Sequence, residues 1–237
     1  MFRRQIGAGA IALALSACAA DQSRPGQVEP VPAAVPSGTD AIVPAAPGEP
    51  GRVLGDFQWT YYWVAEESSY PGKADTSLYA DDCRPLAEVS SAFAKAITLE
   101  GTGRLTSGAL LNVSGRCSCP RSPCFLEADD EHPWGYGVRG RALRPFRSVA
   151  VDPKVIEYGT RLYIEALDGQ RMPSTPTSPE TVHDGCVTAE DTGNSINGRH
   201  LDFFAATKGS YRALNASLGL TQVTVREGGI RCDVASP

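Results

Sequence analysis

Beyond residue 50 the apolar pattern consists mostly of short segments, rich in β-branched and aromatic residues, between Gly, Pro and Asp turns. Such segments are typical of strands, and the turn residues between them leave little room for long helices. The predicted strands are residues 59–64, 146–151, 160–164, 186–189 and 222–226. Many short strands with few helices predict a mainly β fold with a small closed barrel, rather than a parallel sheet with crossover helices.

Helical spacing of apolar residues is clear in one segment. Pro85 suits the first position of a helix, and the acidic Asp81 and Asp82 before it suit the positive end of the helix dipole. The residues that would share its apolar face are Leu86, Val89, Phe93, Ala96 and Ile97. A second short helix is predicted at residues 208–218. The expected fold is therefore mainly β with one or two short helices.

The N-terminal residues have the composition of an export signal. Arg3 and Arg4 precede an apolar run at residues 6–15, which is too short to span a bilayer but suits the core of a signal peptide. The run ends in Leu-Ser-Ala-Cys18, which resembles the lipobox of bacterial lipoproteins, so residues 1–17 are predicted to be a lipoprotein signal peptide. The resemblance implies that Cys18 is acylated. Because Ala19 stands where an inner-membrane retention signal has Asp, we expect an outer-membrane lipoprotein that faces the periplasm.

Residues 19–50 have the composition of a tether. Ala, Pro or Gly occupy 17 of these 32 positions, and the segment has no apolar periodicity. Pro-rich chain is stiff and extended. We therefore predict a disordered linker at residues 19–50, between the outer-membrane lipid and a folded domain at residues 51–237.

Composition and charge narrow the class of protein. The chain contains 22 Lys and Arg against 27 Asp and Glu, a net charge of −5, which becomes −7 once Arg3 and Arg4 leave with the signal peptide. An acidic chain does not offer the basic patch that neutralises phosphates, so we expect no nucleic-acid partner. Hydrophobic residues make up 42% of the chain, which is enough to form a packed core.

Six cysteines follow Cys18, and an even number predicts disulfides in an exported chain. They are Cys83, Cys117, Cys119, Cys124, Cys186 and Cys232. The sequence leaves all fifteen possible connectivities open. A zinc site built from the cysteines at 117–124 with His132 is the alternative, but the spacing lacks the paired C-x-x-C arrangement of zinc modules. We therefore expect disulfides and no metal.

Three aspartates lie in the part of the chain that carries most of the candidate chemistry. Asp152 follows a predicted strand, where it also fits an ordinary turn. Asp191 and Asp202 lie eleven residues apart across a turn that contains Gly193 and Gly198. Glycines allow backbone conformations that could return Asp202 towards Asp191, so that two carboxyls share one pocket. Burial and repulsion would then raise the pKa of one carboxyl, as a general acid requires near neutral pH.

The residues around these aspartates resemble the 3D (three-aspartate) domain. The matching segments are V-A-V-D-P at 149–153, G-T at 159–160, A-E-D-T-G at 189–193 and I-N-G at 196–198, followed by Asp202. This domain is shared by the membrane-bound lytic transglycosylase A family and by compact peptidoglycan-cleaving proteins. The resemblance implies a six-stranded double-psi β-barrel, here with disulfide-stapled loops.

The same resemblance implies an activity and a role for each aspartate. The family cleaves the MurNAc–GlcNAc β-1,4 bond of peptidoglycan without water and leaves a 1,6-anhydromuramoyl end. By position, Asp202 corresponds to the catalytic acid that later acts as the base, Asp191 to its pocket partner and Asp152 to the first aspartate. Glycan strands of peptidoglycan are thus the expected partner, and no metal or organic cofactor is implied. The sequence identifies no protein partner.

Five further residues are candidates for binding the substrate. Gly193 and Asn194 belong to the turn between the two central aspartates. His200 lies two residues before Asp202 and would share its face in an extended chain. Trp134 and Tyr61 offer aromatic faces on which a sugar ring could stack, with a place in the core as the alternative.

Two departures from the family pattern leave other functions open. Asn194 and Asn197 stand where relatives often have Gly and Lys, and either change could weaken catalysis. No second domain like the groove wall of the larger transglycosylases is visible, so the cysteine-rich residues 117–124 and the loop at 134–137 are the expected substitutes. The alternative functions are a hydrolase of a β-1,4 glycan and a non-catalytic, expansin-like wall-binding module.

Overall fold

The computed structural model describes residues 48–233. The predicted signal peptide, Cys18 and nearly all of the predicted linker lie outside the described residues. Within residues 48–233, no helix combines the length and the apolar character needed to cross a membrane.

Thirteen strands and three helices make up the described part of the chain. The strands are β1 Val53–Glu66, β2 Ala74–Tyr79, β3 Pro85–Ser90, β4 Thr102–Arg104, β5 Leu110–Gly115, β6 Cys124–Glu127, β7 Ser148–Ala150, β8 Arg161–Tyr163, β9 Arg171–Met172, β10 Thr181–Val182, β11 Cys186–Asp191, β12 His200–Thr207 and β13 Gln222–Glu227. The helices are α1 Ser91–Glu100, α2 Lys208–Leu218 and α3 Gly229–Asp233, with short 3-10 turns at Glu67–Ser69, Val138–Gly140 and Glu165–Leu167. The chain is mainly β with few helices, as the sequence predicts.

Six of the strands close into a ring. Their order is β12, β7, β11, β8, β13 and β1, and a parallel pairing of β1 with β12 joins the two ends. Alternate residues of these strands point inward, because side chains along a strand alternate between its two faces. The inward set forms the main core, which includes Phe57, Trp59, Val149, Leu162, Val187, Leu201, Phe203 and Val225.

Five of the ring strands lie at segments that the sequence predicts as strands, namely β1, β7, β8, β11 and β13. The sixth, β12, is not among the predicted segments, although it carries Asp202. Its apolar residues do not alternate but run together from Phe203 to Ala206, because the strand is buried on both faces. The predicted helix at residues 208–218 is confirmed as α2.

The predicted helix from Pro85 is wrong in its first half. Residues 85–90 form β3, which pairs antiparallel with β2, and α1 begins only at Ser91. Ser90 is the N-cap, because its hydroxyl accepts a hydrogen bond from the backbone N–H of Phe93 at 3.1 Å. The helical spacing of Leu86 and Val89 relative to Phe93 is therefore a coincidence. Both residues belong to β3, where successive side chains point to opposite faces of the strand.

The segment between β1 and β7 forms a second packed unit that the sequence analysis did not predict. It contains β2 to β6 and α1, and its sheet continues from the end of β1 through the parallel pairing of β1 with β4. Its own core consists of Ala65, Leu78, Val89, Phe93, Ala94, Ile97, Leu111 and Phe125. We call residues 67–136 the inserted segment. The sequence analysis expected one helix, the cysteine-rich residues 117–124 and the loop at 134–137 in this part of the chain.

The six described cysteines form three disulfides, which confirms the expected disulfide stapling. The pairs are Cys83–Cys119, Cys117–Cys124 and Cys186–Cys232. The first two lie within the inserted segment, and the third ties β11 to α3. The sulfur atoms of Cys117, Cys119 and Cys124 lie within 4.8 Å of one another, but each is already bonded to another sulfur. A thiolate zinc site therefore has no free ligands here.

Candidate active site

Asp191 and Asp202 lie on either side of one small residue, Ala150. Ala150 on β7 pairs with Asp202 on β12 and with Asp191 on β11. Residues that pair across neighbouring strands share a face of the sheet. The two backbones are thus about 10 Å apart, two strand spacings, with the carboxyls on one face and only a methyl group between them. The chain therefore returns Asp202 towards Asp191, as the sequence predicts.

A β-bulge at Glu190 directs Asp191 to this face. The register of β11 against β7 shifts between Ala189 and Asp191, so Glu190 is the extra residue. The carboxylate of Glu190 is buried and accepts hydrogen bonds from Ser148 Oγ at 2.7 Å and from the Arg144 guanidinium at 3.0 Å. Because Glu190 is satisfied in this way, the next residue, Asp191, is the one that turns to the Asp202 side.

A chain of hydrogen bonds joins Asp202 to His200 through Thr60. Thr60 on β1 pairs with Asp202 on β12, and the Thr60 hydroxyl donates to Asp202 Oδ1 at 2.6 Å. The same hydroxyl oxygen lies 2.7 Å from His200 Nε2. Since the hydroxyl has a single proton and gives it to Asp202, the His200 ring donates to Thr60 in this arrangement. His200 therefore shares the face of Asp202, as expected, and reaches it through Thr60.

Both central carboxyls are harder to ionise than ordinary aspartates. Burial raises the pKa of Asp202, against the opposing effects of the Thr60 hydroxyl and the nearby His200 ring. Burial also raises the pKa of Asp191 to about 6, and the charge of Asp202 adds to the rise. The Thr192 backbone N–H, 2.8 Å from Asp191 Oδ1, limits the change. A raised carboxyl pKa is what a proton donor needs near neutral pH.

Tyr62 is a buried residue near both carboxyls. Its ring is buried and packs on Phe204 with centroids 5.0 Å apart. Burial and the charges of Asp191 and Asp202 raise the pKa of Tyr62 well above its usual value, so the phenol stays protonated. Among residues 48–233, its hydroxyl has no hydrogen-bond partner at normal distance, although it lies close enough to Asp191 to lower the pKa of that carboxyl.

Asp152 holds the turn that connects the other two aspartates. Asp152 Oδ2 accepts a hydrogen bond from the backbone N–H of Gly198 at 2.7 Å, and Oδ1 accepts one from Lys154 N at 2.9 Å. These bonds lower the pKa of Asp152, so it remains an anion. Gly198 has φ of 64°, a left-handed conformation that favours glycine. One oxygen of Asp152 thus holds the turn at Gly198, and the other binds the backbone two residues further along its own loop.

The candidate binding residues Gly193 and Asn194 lie exposed in that turn. Neither has a positive φ, so Asn194 occupies a position that tolerates a side chain without strain. The turn is closed by the Gly193 carbonyl, which accepts from Ile196 N at 3.0 Å, and by the Asn194 carbonyl, which accepts from Asn197 Nδ2 at 3.2 Å. Asn197 therefore acts within the turn.

Tyr61 and Trp134, the two candidate aromatic platforms, lie in different packed clusters of the structure. Tyr61 follows Thr60 on β1 and so points to the opposite face, where it packs edge-on against Trp59 and Phe203. Trp134 is 4% exposed, and its Nε1 donates to Thr177 Oγ1 at 3.1 Å. Trp134 is thus buried and Tyr61 is partly buried against the main core, and sugar stacking on either ring stays a prediction.

Two residues near Asp202 were missed by the sequence analysis. Thr60 was overlooked inside an aromatic run, although a single hydroxyl residue between Trp59 and Tyr61 is itself a signal. Glu100, the last residue of α1, accepts a hydrogen bond from Trp63 N at 3.2 Å and interacts electrostatically with Asp202. Its only signal in the sequence is its position before Gly101, at a helix end that disfavours a carboxylate.

One cavity of the described part of the chain lies apart from these carboxyls. It has a volume of about 750 Å³, and the residues around it come mainly from the inserted segment, including Glu66, Arg104, Asp129, His132 and Trp134. Asp191 and Asp202 do not line it. We assign the candidate chemistry to the Asp202 face, because raised carboxyl pKa values and close polar contacts coincide there.

Residues 147–224, from the loop before β7 into β13, match the family model of the 3D domain. The match includes all three aspartates of the predicted pattern. This part of the chain is similar to the 3D domain. The resemblance inferred from the sequence is thereby confirmed, and the 3D domain supplies five of the six ring strands, with β1 contributed from upstream.

Three solved structures are similar to this chain. Escherichia coli MltA with bound chitohexaose aligns with a TM-score of 0.50 and 14% identity, over 73% of this chain and 71% of that one. LtgG, a lytic transglycosylase of Burkholderia pseudomallei, aligns with a TM-score of 0.38 and 17% identity, over 72% of this chain and 70% of that one. A membrane-bound lytic murein transglycosylase of Agrobacterium tumefaciens aligns with a TM-score of 0.41 and 12% identity, over 73% of this chain and 72% of that one. At these identities the likeness concerns the fold. No curated protein sequence matches this chain.

Proposed function

We propose that this protein is a peptidoglycan lytic transglycosylase that uses Asp202 as its acid and then as its base. The observation that carries the proposal is the environment of Asp202. It is a mostly buried carboxyl with a raised pKa, hydrogen-bonded to Thr60 and facing Asp191 across Ala150, within a 3D domain. A carboxyl of this kind can hold a proton near neutral pH and release it to a substrate.

In the first step, protonated Asp202 donates its proton to the glycosidic oxygen between MurNAc and GlcNAc, and the bond from C1 of MurNAc to that oxygen breaks. The Asp202 carboxylate that results keeps the hydrogen bond from Thr60 to Oδ1. This bond to an ionised acceptor is stronger than the bond to the neutral acid. Oδ2 is then the oxygen that faces the sugar.

In the second step, the C6 hydroxyl of the same MurNAc attacks C1, and Asp202 accepts the hydroxyl proton. The ring closes to a 1,6-anhydro sugar and Asp202 returns to its protonated form, so no water is consumed. One carboxyl is sufficient because the substrate supplies its own nucleophile, whereas hydrolytic glycosidases use two carboxyls with separate roles. The charge of Asp202 contributes to the raised pKa of Asp191, about 6, so the two carboxyls titrate as a coupled pair.

The fold adds support for a glycan substrate. E. coli MltA, which shares the fold, binds chitohexaose, a chain of β-1,4-linked amino sugars. We infer that the six-strand ring here is a double-psi β-barrel and that the groove lies between it and the inserted segment. The candidate binding residues that remain beside this groove are His200, Gly193 and Asn194, together with Asp152 at the base of the turn.

We also propose, from the sequence, that the protein is lipid-anchored at Cys18 and faces the periplasm from the outer membrane. Residues 19–50 would let the folded domain reach peptidoglycan from that anchor. Membrane fractionation of cells that express the full chain tests this proposal, with Cys18→Ala as the comparison. The proposal is wrong if both forms fractionate alike in the soluble periplasm.

The activity is tested on purified sacculi with the chain that lacks residues 1–18. Released muropeptides are weighed by mass spectrometry, since an anhydro product is lighter than a hydrated one by one water. Asp202→Asn removes the acid while keeping the size of the side chain. Asp82→Asn is the matched control, because Asp82 is an exposed residue of the inserted segment whose role is to accept from Arg84 N at 2.9 Å.

Anhydro-muropeptides from the wild type and from Asp82→Asn, with none from Asp202→Asn, are the expected result. Hydrated ends would replace the proposal with a glycan hydrolase. Binding to sacculi without release of fragments would replace it with a wall-binding module. Equal activity of Asp202→Asn and the wild type would refute the role of Asp202.

A further inference from the structure

Glu190 is a buried carboxylate that the reaction described above does not use. It is 5% exposed and lies on β11, directly before Asp191. No other Asp or Glu within residues 48–233 is buried to this degree. Acidic side chains are rarely buried unless they are paired, so the position of Glu190 calls for an explanation in terms of its partners.

The β-bulge at Glu190 decides which acidic side chain belongs to the candidate site. Ala189 pairs with Val149, and Asp191 pairs with the next residue of β7, Ala150. In a regular ladder Glu190 would pair with Ala150 instead. A slip of one residue turns every later side chain to the other face of a sheet, so Asp191 would then point into the packed interior of the ring. The bulge is therefore a requirement for the observed position of Asp191.

Three hydrogen bonds fix the Glu190 side chain. Ser148 Oγ donates to Oε2 at 2.7 Å, Arg144 Nη2 donates to Oε1 at 3.0 Å, and Arg144 Nε donates to Oε2 at 3.3 Å. The guanidinium thus binds both carboxylate oxygens, an arrangement that fixes orientation as well as adding energy. Arg144 is itself held, because its Nη2 also donates to Thr188 Oγ1 at 3.1 Å. Arg141 Nη1 adds a longer ion pair, 3.9 Å from Oε1.

The backbone of the bulge is held as closely as the side chain. Gly137, in the loop that follows the inserted segment, packs against the Glu190 carbonyl. A Cβ at residue 137 would lie 2.1 Å from that carbonyl oxygen, so the approach requires glycine. At the next residue, Val151 N donates to Asp191 O at 3.0 Å. The bulge is therefore fixed through side-chain and backbone contacts together.

We propose that Glu190 is a positioning residue for Asp191, because its bonds to Ser148 and Arg144 fix the bulge that turns Asp191 to the side of Asp202. The proposal rests on the proposed function, in which Asp191 is the partner of the catalytic acid. Stability alone does not account for Glu190, since the desolvation of a buried ion pair costs about as much as the pairing returns. Selecting one register is the best-attested use of such a pair.

The first test is a pH titration of side-chain carboxyl ¹³C signals, on the chain used in the activity assay. In Glu190→Ala the end of β11 loses its anchor. An unpaired carboxyl does not settle in a packed interior, so Asp191 should turn to water. Its pKa should then fall from about 6 towards the ordinary aspartate value of about 4. A merely structural role predicts a lower Tm and no change in the titration of Asp191.

Two further variants define the cause. Glu190→Gln is the conservative variant, because an amide oxygen accepts from Arg144 and an amide N–H donates to the Ser148 hydroxyl, which can also accept. Glu190→Gln should keep most of the raised pKa of Asp191 and most of the rate. Glu180→Ala is the matched control, because Glu180 is an exposed carboxylate that accepts from Arg171 at 2.6 Å. It should change neither.

Activity on sacculi gives the second readout. Release of anhydro-muropeptides should fall about tenfold or more in Glu190→Ala, while binding to sacculi stays unchanged. An Asp191 pKa within about 0.2 unit of the wild type in folded Glu190→Ala overturns the proposal. If Glu190→Ala does not fold, Arg144→Ala decides in the same way, since it removes two of the three bonds through a side chain that is 53% exposed. A lowered Asp191 pKa, with no anhydro products from the wild type, would retain the role of Glu190 and refute the transglycosylase.

Discussion

The hydroxyl of Thr60 should control the acidity of Asp202, and Thr60→Val removes that hydroxyl while keeping the branched shape. Thr60 donates to Asp202 Oδ1 at 2.6 Å and lies 2.7 Å from His200 Nε2, so the substitution cuts both bonds. A hydrogen bond to a charged group contributes about 1.5–3 kcal/mol, and one pKa unit corresponds to about 1.4 kcal/mol. The pKa of Asp202 should therefore rise by about one to two units.

The rate should change in a direction that identifies the cause. Because the acid holds its proton more tightly, the alkaline limb of anhydro-muropeptide release should move to higher pH. The maximal rate should fall about tenfold or more, since the Asp202 anion formed during cleavage loses its donor. Thr60→Ser keeps the hydroxyl and should restore most of the rate.

His200 should act on Asp202 partly through Thr60 and partly by a direct electrostatic effect. In a double-mutant cycle, His200→Ala should then lower the rate in the wild type and have a smaller effect in Thr60→Val. The reasoning fails if Thr60→Val matches the wild type in both rate and pH profile. It also fails if Thr60→Ser is folded yet as impaired as Thr60→Val, or if the effects of His200→Ala and Thr60→Val simply add.

Three other predictions concern stability and protonation. Asp191→Asn should be more stable than the wild type at pH 8 by about 1 kcal/mol, seen as a few degrees in Tm. The pKa of Asp191 is about 6 in the folded protein, so the wild type loses stability as the pH rises from about 4 to 6. The stability gain of Asp191→Asn over the wild type should therefore vanish near pH 4. Replacing Cys186 and Cys232 by Ser opens a link between residues 46 apart and should cost about 2–4 kcal/mol in urea unfolding. His183, whose pKa burial lowers to about 4, should show a neutral ring by ¹⁵N NMR at pH 5.5.

Each of these three can fail in a definite way. A Tm difference for Asp191→Asn that is the same at pH 4 and pH 8 would contradict a raised pKa. A double serine variant as stable as the wild type would contradict a constraining role for the disulfide. A protonated His183 ring at pH 5.5 would contradict its burial, in which Nε2 bonds to Phe146 O at 2.6 Å and Nδ1 accepts from Gly185 N at 2.9 Å.

Local patterns in the sequence were sufficient for five ring strands, for α2, for the presence of disulfides and for the three aspartates of a 3D domain. These features depend on the spacing of neighbouring residues, because strand alternation, helical spacing and turn chemistry act over a few positions. The same locality explains the error at Pro85. The apolar residues of 85–90 fit a helical spacing, but these residues pair with β2 and form a strand.

Only the tertiary structure decided which residues surround Asp202. Its donor Thr60 is 142 residues away in the chain, and Trp63 meets Glu100 across 37 residues. The disulfide connectivity was likewise open until the fold brought each pair together. Such contacts form when β1 and β12 close the ring and α1 packs against β1. The residues next to Asp202 in the sequence do not indicate which distant residues these partners are. Closure of the ring over long stretches of chain is the physical step that turns a local aspartate pattern into a site with a raised pKa.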